Sequence, residues 1–415
     1  MSVPVKDRHL NNSFSMETKY RYSVLLFLTI AFFGTKTSAQ QPMKSLIAEN
    51  MQLAASQYKL LAKKVPADQM PRYYDPQKNK WGNSNTQWWC SGFYPGSLML
   101  IYEYTKDEAI LKEAEKKLAI LEKEKHYTGN HDLGFMMYCS FGTAYRITGN
   151  PAYKTTIDTA ALSLSTRYRP NIQSIQSWDS NDKLKCPVII DNMMNLELLM
   201  WVAQQGGDSK LKEISLAHAN STLERHFRPD GSSYHVLDYD PVSSKLIRKL
   251  TWQGAADESA WSRGQSWGFY GFTMMYRFTR DKRYLDQAKK IASFIFTHHN
   301  LPADLVPYWD FNAPGIPDTF RDASSAAINA SALLELAQYV NKKEGKGYIS
   351  RAEKIIRSLS SEKYSAKPGK NGGYLLKHSV GNLPFNSEIN TTLTYADYYF
   401  LEAMQRYQRW VLNIK

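Results

Sequence analysis

Two kinds of helix alternate along this chain, and two kinds of connection alternate with them. Apolar residues at 3.6-residue spacing predict twelve helices, near 43–64, 89–104, 107–125, 133–148, 151–167, 192–205, 208–227, 264–279, 282–299, 322–340, 346–362 and 390–412. The even-numbered ones are apolar nearly all round, as in Gly134-Phe135-Met136-Met137-Tyr138 and Trp267-Gly268-Phe269-Tyr270-Gly271-Phe272. A helix with no polar face belongs inside. The odd-numbered ones mix Lys and Glu with Leu, Ile and Ala, as in Lys112-Glu113-Ala114-Glu115-Lys116-Lys117-Leu118, and should form an outer layer. Inner-to-outer links are short, for example Gln205-Gly206-Gly207-Asp208 and Phe278-Thr279-Arg280-Asp281, with Asp placed to cap the next helix. The return links, 65–88, 168–190, 228–263, 300–321 and 363–389, are long. Loops of that length in a compact domain usually serve function. Six hairpins with one smooth and one elaborated face describe an all-α (α/α)6 barrel over residues 40–415, with any site on the elaborated rim. Strand-like pieces, Ser232 to Asp238 and Gly373 to Lys377, are expected to form small hairpins within those loops.

The N-terminus carries Lys19 and Arg21, an apolar run from Val24 to Gly34, then Thr37-Ser38-Ala39 before Gln40. This pattern predicts an export signal over residues 1–39, cleaved after Ala39, with translation starting at Met1 or at Met16, and a periplasmic destination. The run is too short to span a bilayer. Cys90, Cys139 and Cys186 are too few and too widely spaced for a disulfide framework or a metal knuckle, and are read as small buried side chains. The formal charge is +13, and removing residues 1–39, which hold five Lys/Arg and two Asp/Glu, leaves +10. Such a surface suits an acidic partner. No Lys/Arg-rich arm of the nucleic-acid-binding kind is present, and neither is a Gly-rich phosphate loop or a G-x-S-x-G elbow. His298-His299 has no third ligand nearby in sequence, so no metal is expected there.

Residues able to do chemistry gather where long loops enter inner helices: His131-Asp132-Leu133-Gly134-Phe135, Ile190-Asp191-Asn192-Met193-Met194-Asn195 and Trp261-Ser262-Arg263-Gly264-Gln265-Ser266-Trp267. An Asp just before a helix is commonly only an N-cap. Asp191, however, follows the apolar stretch Cys186-Pro187-Val188-Ile189-Ile190, and Asp132 reaches the same rim one hairpin earlier. Burial and a like-charged neighbour both raise a carboxyl pKa, and a rise of about two units costs ~2.7 kcal/mol against ionisation. A helix N-terminus opposes this by only about 0.3–1 kcal/mol, so one carboxyl should stay protonated. Arg263 begins an inner helix and could hold a substrate carboxylate, or else pair with Asp257 or Glu258. Trp88, Trp89, Trp178, Trp252, Trp261, Trp267 and Trp309 lie in or beside the long loops, where indoles can carry the C–H faces of a sugar or simply fill the core. His235 and Gln253 offer polar edges for hydroxyls, and Lys367, Lys370, Lys377, His378 and Ser379 could touch a sulfate or a further sugar.

Taken in order between these helices, Trp89-Cys90-Ser91-Gly92-Phe93-Tyr94-Pro95-Gly96, His131-Asp132-Leu133-Gly134-Phe135, Asp191-Asn192-Met193-Met194-Asn195 and Glu258 through Trp267 resemble the unsaturated glucuronyl hydrolases of glycoside hydrolase family eighty-eight, from about 43 to 412. The resemblance implies the same barrel, no metal or organic cofactor, and as substrate a lyase-generated glycosaminoglycan di- or oligosaccharide with an unsaturated uronic acid at its non-reducing end. It implies Asp191 as the proton donor to C4 that then assists water at C5, and Asp132 as its support. It further implies that His235, Gln253 and Arg263 hold the sugar while Trp89, Trp178, Trp261 and Trp267 line the pocket, Trp88 being an alternative to Trp89. A monomer or weak homo-oligomer without a membrane span is expected. Two other readings fit parts of the pattern. Unsaturated rhamnogalacturonyl hydrolases share the barrel and a hydrating Asp, although the His-Asp-Leu-Gly-Phe setting of Asp132 favours the glucuronyl side. A non-catalytic receptor for acidic sugars would keep the tryptophans and Arg263 but would not need two acids.

Overall fold

Helices that are apolar all round can be covered only by one another and by an outer layer, and the computed structural model, which describes residues 40–414, shows that arrangement. The signal expected over residues 1–39 lies outside the described residues. Twelve helices are found among those described. The inner ones are α2 (Phe93–Thr105), α4 (π-helical over Gly134–Gly142, then α-helical over Thr143–Thr148), α6 (Asn192–Gln204), α8 (Ser262–Thr279), α10 (Ala323–Leu336) and α12 (Thr394–Trp410). Each packs against the next and α12 packs back on α2, which closes the ring. Around it stand α1 (Met43–Ala62), α3 (Glu108–Leu121), α5 (Pro151–Ser165), α7 (Ser209–Arg225), α9 (Lys282–Thr297) and α11 (Lys342–Ser360). The centre of the ring is aromatic, with Phe93, Phe135, Trp267 and Tyr399 in a chain of ring contacts 5.0 to 5.9 Å apart.

The short links cap as expected. Asp107, Asn150, Asp208, Asp281 and Asn341 each accept an amide hydrogen bond at the start of α3, α5, α7, α9 and α11. α2 starts at Phe93 rather than near 89, because Trp88 to Gly92 form a turn closed by Ser91 N–H donating to Trp88 O. α11 starts at Lys342 rather than 346, because Asn341 takes the amides of Lys343 and Glu344, a cap stronger than the local cost of Gly345.

The long loops carry small sheets. β1 (Met70–Asp75) pairs with β2 (Lys80–Ser84), and β3 (Tyr168–Arg169) with β4 (Ser174–Ile175). β5 (Pro187–Ile189), β6 (Val236–Tyr239) and β7 (Leu246–Leu250) form an antiparallel sheet in that order. The strand expected over Ser232 to Asp238 is therefore β6, shifted toward its C-terminal end. Gly373 to Lys377 forms no hairpin strand: Asp397 takes the amides of Leu375 and Leu376, leaving only a single bridge between Ser365 and Leu376.

Candidate active site

The antiparallel sheet brings two distant loops to one point. Ile189 pairs with Val236, and Ile190 N–H donates to His235 O at 3.1 Å, so Asp191 and His235 emerge side by side. The His235 ring is oriented by the backbone: Nδ1 accepts from Trp252 N–H (3.1 Å) and Gln253 N–H (3.2 Å). An amide can only donate, so Nδ1 is bare and the ring proton sits on Nε2. Nε2 lies 3.6 Å from Asp191 Oδ2. Burial, then the positive charge of Arg263, pushes the His235 pKa down to about 3, so the ring is a neutral donor at neutral pH.

Asp191 sits at the N-cap position of α6 yet makes no capping hydrogen bond. It is buried, and its Oδ2 has no hydrogen-bond partner. Burial raises its pKa to about 7 against the opposing charge of Arg263, its own amide and the Trp267 indole N–H. Asp132 is raised to about 8, first by burial and then by the charge of Asp191, with Arg167 opposing. One protonated carboxyl was expected; burial raises both, and the charge of Asp191 adds to the rise at Asp132. Arg167 is held by Gln176 O, Thr128 O and Asp179. His131 Nε2 lies 3.5 Å from Asp132 Oδ1.

The two acid-bearing helices are knitted together below the carboxyls. Asn195 Oδ1 on α6 accepts from Phe135 N–H on α4 at 2.9 Å, and a Cβ on Gly134 would overlap the Asn195 backbone. α4 is π-helical at this end, a geometry often found at functional sites.

The other expected residues are placed as follows. Arg263 is 1% exposed, and its partner is Asp322 (3.2 Å) rather than Asp257 or Glu258. Nη1 also donates to Val380 O and Nη2 to Gly381 O (2.6 Å), while the guanidinium carbon lies 4.6 Å over the Trp261 ring. Arg263 thus reaches the site as a buried charge clamped to a neighbouring loop, with Nε unpartnered. Gln253 Nε2 donates to the same Gly381 O at 3.0 Å. The Trp261 ring lies 4.4 Å from that of His235, tilted by 34°. Trp267 is fully buried, and its indole N–H lacks a hydrogen-bond partner at ordinary distance. Trp89 turns inward against Phe93, Phe135 and Tyr395, whereas Trp88 lies outside beneath Arg72, which settles which of them faces the ring. Trp178 bridges Asn130, whose side chain accepts from Asp132 N–H at 2.9 Å. In the 363–389 loop Lys377 Nζ donates to Glu362 O, His378 pairs with Asn390, Ser379 is buried, and Lys367 and Lys370 are exposed.

Arg167 and Asp322 went unnoticed in the sequence, and Asn195 was seen only as the end of the Asp191 motif. Arg167 reads locally as an ordinary cation at a helix end, and Asp322 as one more N-cap, which it also is, accepting from Ser324 N–H. Cys90 and Cys186 are buried, Cys139 half-buried, and burial pushes all three thiols up.

The sequence profile described as Glycosyl Hydrolase Family 88 matches residues 61–413. An unsaturated glucuronyl hydrolase of Formosa agariphila is 46% identical over 327 residues, 78% of this chain and 81% of that protein. One from Bacillus sp. strain GL1 is 32% identical over 351 residues, 83% and 92% of the two chains. A crystal structure of an unsaturated glucuronyl hydrolase specific for heparin superposes with a TM-score of 0.86 at 41% identity, covering 89% of this chain and 99% of that one.

Proposed function

The chain belongs to Glycosyl Hydrolase Family 88, and from that premise we propose how its rim performs the family reaction. The protein is an unsaturated glucuronyl hydrolase: it hydrates the C4=C5 double bond of the unsaturated uronic acid at the non-reducing end of lyase-generated glycosaminoglycan fragments. A proton goes to C4, the positive charge left at C5 is shared with the ring oxygen, and water oxygen bonds to C5. The resulting hemiketal opens and the neighbouring sugar leaves from C1. No displacement occurs at the anomeric carbon, so the spacing of the carboxyls carries no message about retention or inversion.

Asp191 is the donor to C4 and, once ionised, the base for water. Its pKa of about 7 matches the working range of an acid that must both give and take a proton. Asp132, at about 8, keeps its proton longer and serves as a neutral hydrogen-bond donor beside it. His235 Nε2–H faces the Asp191 carboxyl from 3.6 Å, Arg263 supplies positive charge toward the uronate, and Gln253 with Trp89, Trp178, Trp261 and Trp267 frames the sugar. The observation that carries this assignment is Asp191 itself, a buried carboxyl at a helix start that declines to cap. Loss of ultraviolet absorbance of an unsaturated disaccharide reads the reaction directly. Asp191→Asn is expected to lower turnover by about 10²–10⁴ while binding persists. Unchanged turnover removes Asp191 from the role, and a wild-type protein that binds without consuming the alkene favours the receptor reading.

Export is proposed on the leader-like residues 1–39, and N-terminal sequencing of the mature protein tests it; retention of residues before Gln40 rejects it.

A further inference from the structure

The positive charge of the chain is concentrated on one side of the outer layer. The outer helices α9 and α11 hold ten Lys/Arg against three Asp/Glu. The other four outer helices, α1, α3, α5 and α7, together hold nine against seven. α9 and α11 are neighbours: Lys289 Nζ lies 2.9 Å from Glu344 Oε1, and the Arg351 guanidinium carbon lies 5.8 Å from the centre of the Phe296 ring. Between them runs a groove of about 410 Å³, with Lys289, Ser293, Phe296, Lys343, Tyr348 and Arg351 among its walls. Four of the ten cations are answered by carboxylates, Lys282 by Asp286, Arg283 by Asp281, Lys289 by Glu344 and Arg357 by Glu353. The other six, Lys290, Lys342, Lys343, Lys346, Arg351 and Lys354, are exposed and form no ion pair among the described residues. At about 100° and about 1.5 Å per residue, Lys343, Lys346, Arg351 and Lys354 share one side of α11 and span about 16 Å along it. Like charges gathered in a row repel one another, and a line of negative charge relieves that repulsion.

We propose that the wall formed by α9 and α11 is a second carbohydrate-binding surface, on the outside of the barrel, for a run of intact acidic polysaccharide. The uronates and sulfate esters of the polymer lie along the cationic row, and sugar faces lie on the half-buried Phe296 and Tyr348 rings in the groove. A lipid surface fits less well. Cationic helices that lie on membranes present Trp, Phe or Leu to the acyl chains, whereas neither α9 nor α11 has a large apolar side chain exposed. Their apolar faces, with Tyr284, Ile291 and Ile295 on α9 and Ile355, Ile356 and Leu359 on α11, are packed into the barrel. Lys343 and Lys346 stand in the first turns of α11, just after a short link, so the row starts toward the smooth rim and is separate from the acids. The surface needs no unsaturated end on its ligand. A polymer held there keeps the protein beside the material from which lyases release the substrate of the rim; that consequence, not the surface, rests on the proposed function.

The probe is a size-defined heparin fraction without unsaturated ends, titrated by calorimetry into the full protein. Lys343→Gln, Lys346→Gln, Arg351→Gln and Lys354→Gln, made together, are expected to raise its Kd about tenfold, less as salt is added, and to leave kcat and KM for an unsaturated disaccharide unchanged. Lys112→Gln, Lys116→Gln, Lys210→Gln and Lys212→Gln remove the same formal charge from α3 and α7 and should leave the heparin Kd unmoved. Phe296→Leu keeps the groove apolar without the ring; it should raise the heparin Kd about threefold and not touch binding of polyglutamate. Equal loss of affinity in the two fourfold variants overturns the surface, as does polyglutamate bound as tightly as heparin. Equal affinity for phosphatidylserine vesicles overturns it in favour of a lipid-facing patch. A wild type that binds heparin through this wall and consumes no alkene keeps the surface and rejects the catalytic reading instead.

Discussion

At the scale of single residues the protein is organised around carboxyls that hold protons. Asp107, Asp208 and Asp281 accept amide hydrogen bonds as helix caps, whereas the Asp191 side chain accepts none at its helix start. Both site carboxyls bind a proton more tightly in the folded chain than the ~3.9 of an unfolded Asp. Their favourable contribution to stability is therefore complete below about pH 4 and is lost as pH rises through about 7 for Asp191 and about 8 for Asp132. Asp132→Asn should accordingly stabilise the fold by a few kcal/mol at pH 9, of the order of ~1.4 kcal/mol per unit of pKa rise, and change it little at pH 4. Urea unfolding at the two pH values checks this, and equal midpoint shifts at both would show that burial is not what raises Asp132. These acids were legible as helix-entry carboxyls, Asp191 after an apolar approach and Asp132 at the same rim one hairpin earlier. The proton position on His235 was not, because it depends on two amides of Trp252 and Gln253 that arrive from another part of the loop.

At the scale of elements, the site depends on how closely α4 and α6 approach. Gly134 is needed there because any Cβ would meet Asn195 backbone, which cannot swing aside as a side chain end can. Gly134→Ala is expected to cost about 1–3 kcal/mol and to lower turnover as well, since it separates the helix that follows Asp132 from the one that follows Asp191. Denaturant unfolding together with the alkene assay tests both parts; a variant of wild-type stability would mean that the helices part without cost. The inner helices could be read from composition because a helix lacking a polar face has one place to go. The sheet of β5, β6 and β7 could not, since its middle strand lies far along the chain from β5 and pairing at that range leaves only alternation as a local trace. Gly373 to Lys377 pairs so briefly for the complementary reason: Asp397 claims the amides of Leu375 and Leu376, and only Lys377 N–H and Leu375 O bond to the opposite segment.

At the scale of the whole molecule the barrel has two chemically different ends. The inner helices' C-terminal halves enclose a cavity of about 360 Å³ with Glu197, Glu402, Arg277 and Arg406 among its walls. Glu335 beside it is 1% exposed and pairs with Arg406 (3.0 Å) and Arg277 (3.5 Å). This network of three carboxyls and two guanidinium groups lies at the end away from the acids. Glu335→Gln leaves Arg277 with Glu197 and Arg406 with Glu402 and should cost about 1.5–3 kcal/mol, while KM for the disaccharide, measured well below the unfolding temperature, stays put. A shifted KM would mean that the two ends communicate. The sequence by itself determined the layers, the smooth and elaborated rims and the acids at the helix entries, because burial preference and helix capping are local properties repeated along the chain. Only the tertiary structure decided that Arg263 answers to Asp322 and that Trp89 turns in while Trp88 turns out. Those pairings join residues from separate loops, and the short-range forces that make them act only once the closed ring has brought the loops to the same rim.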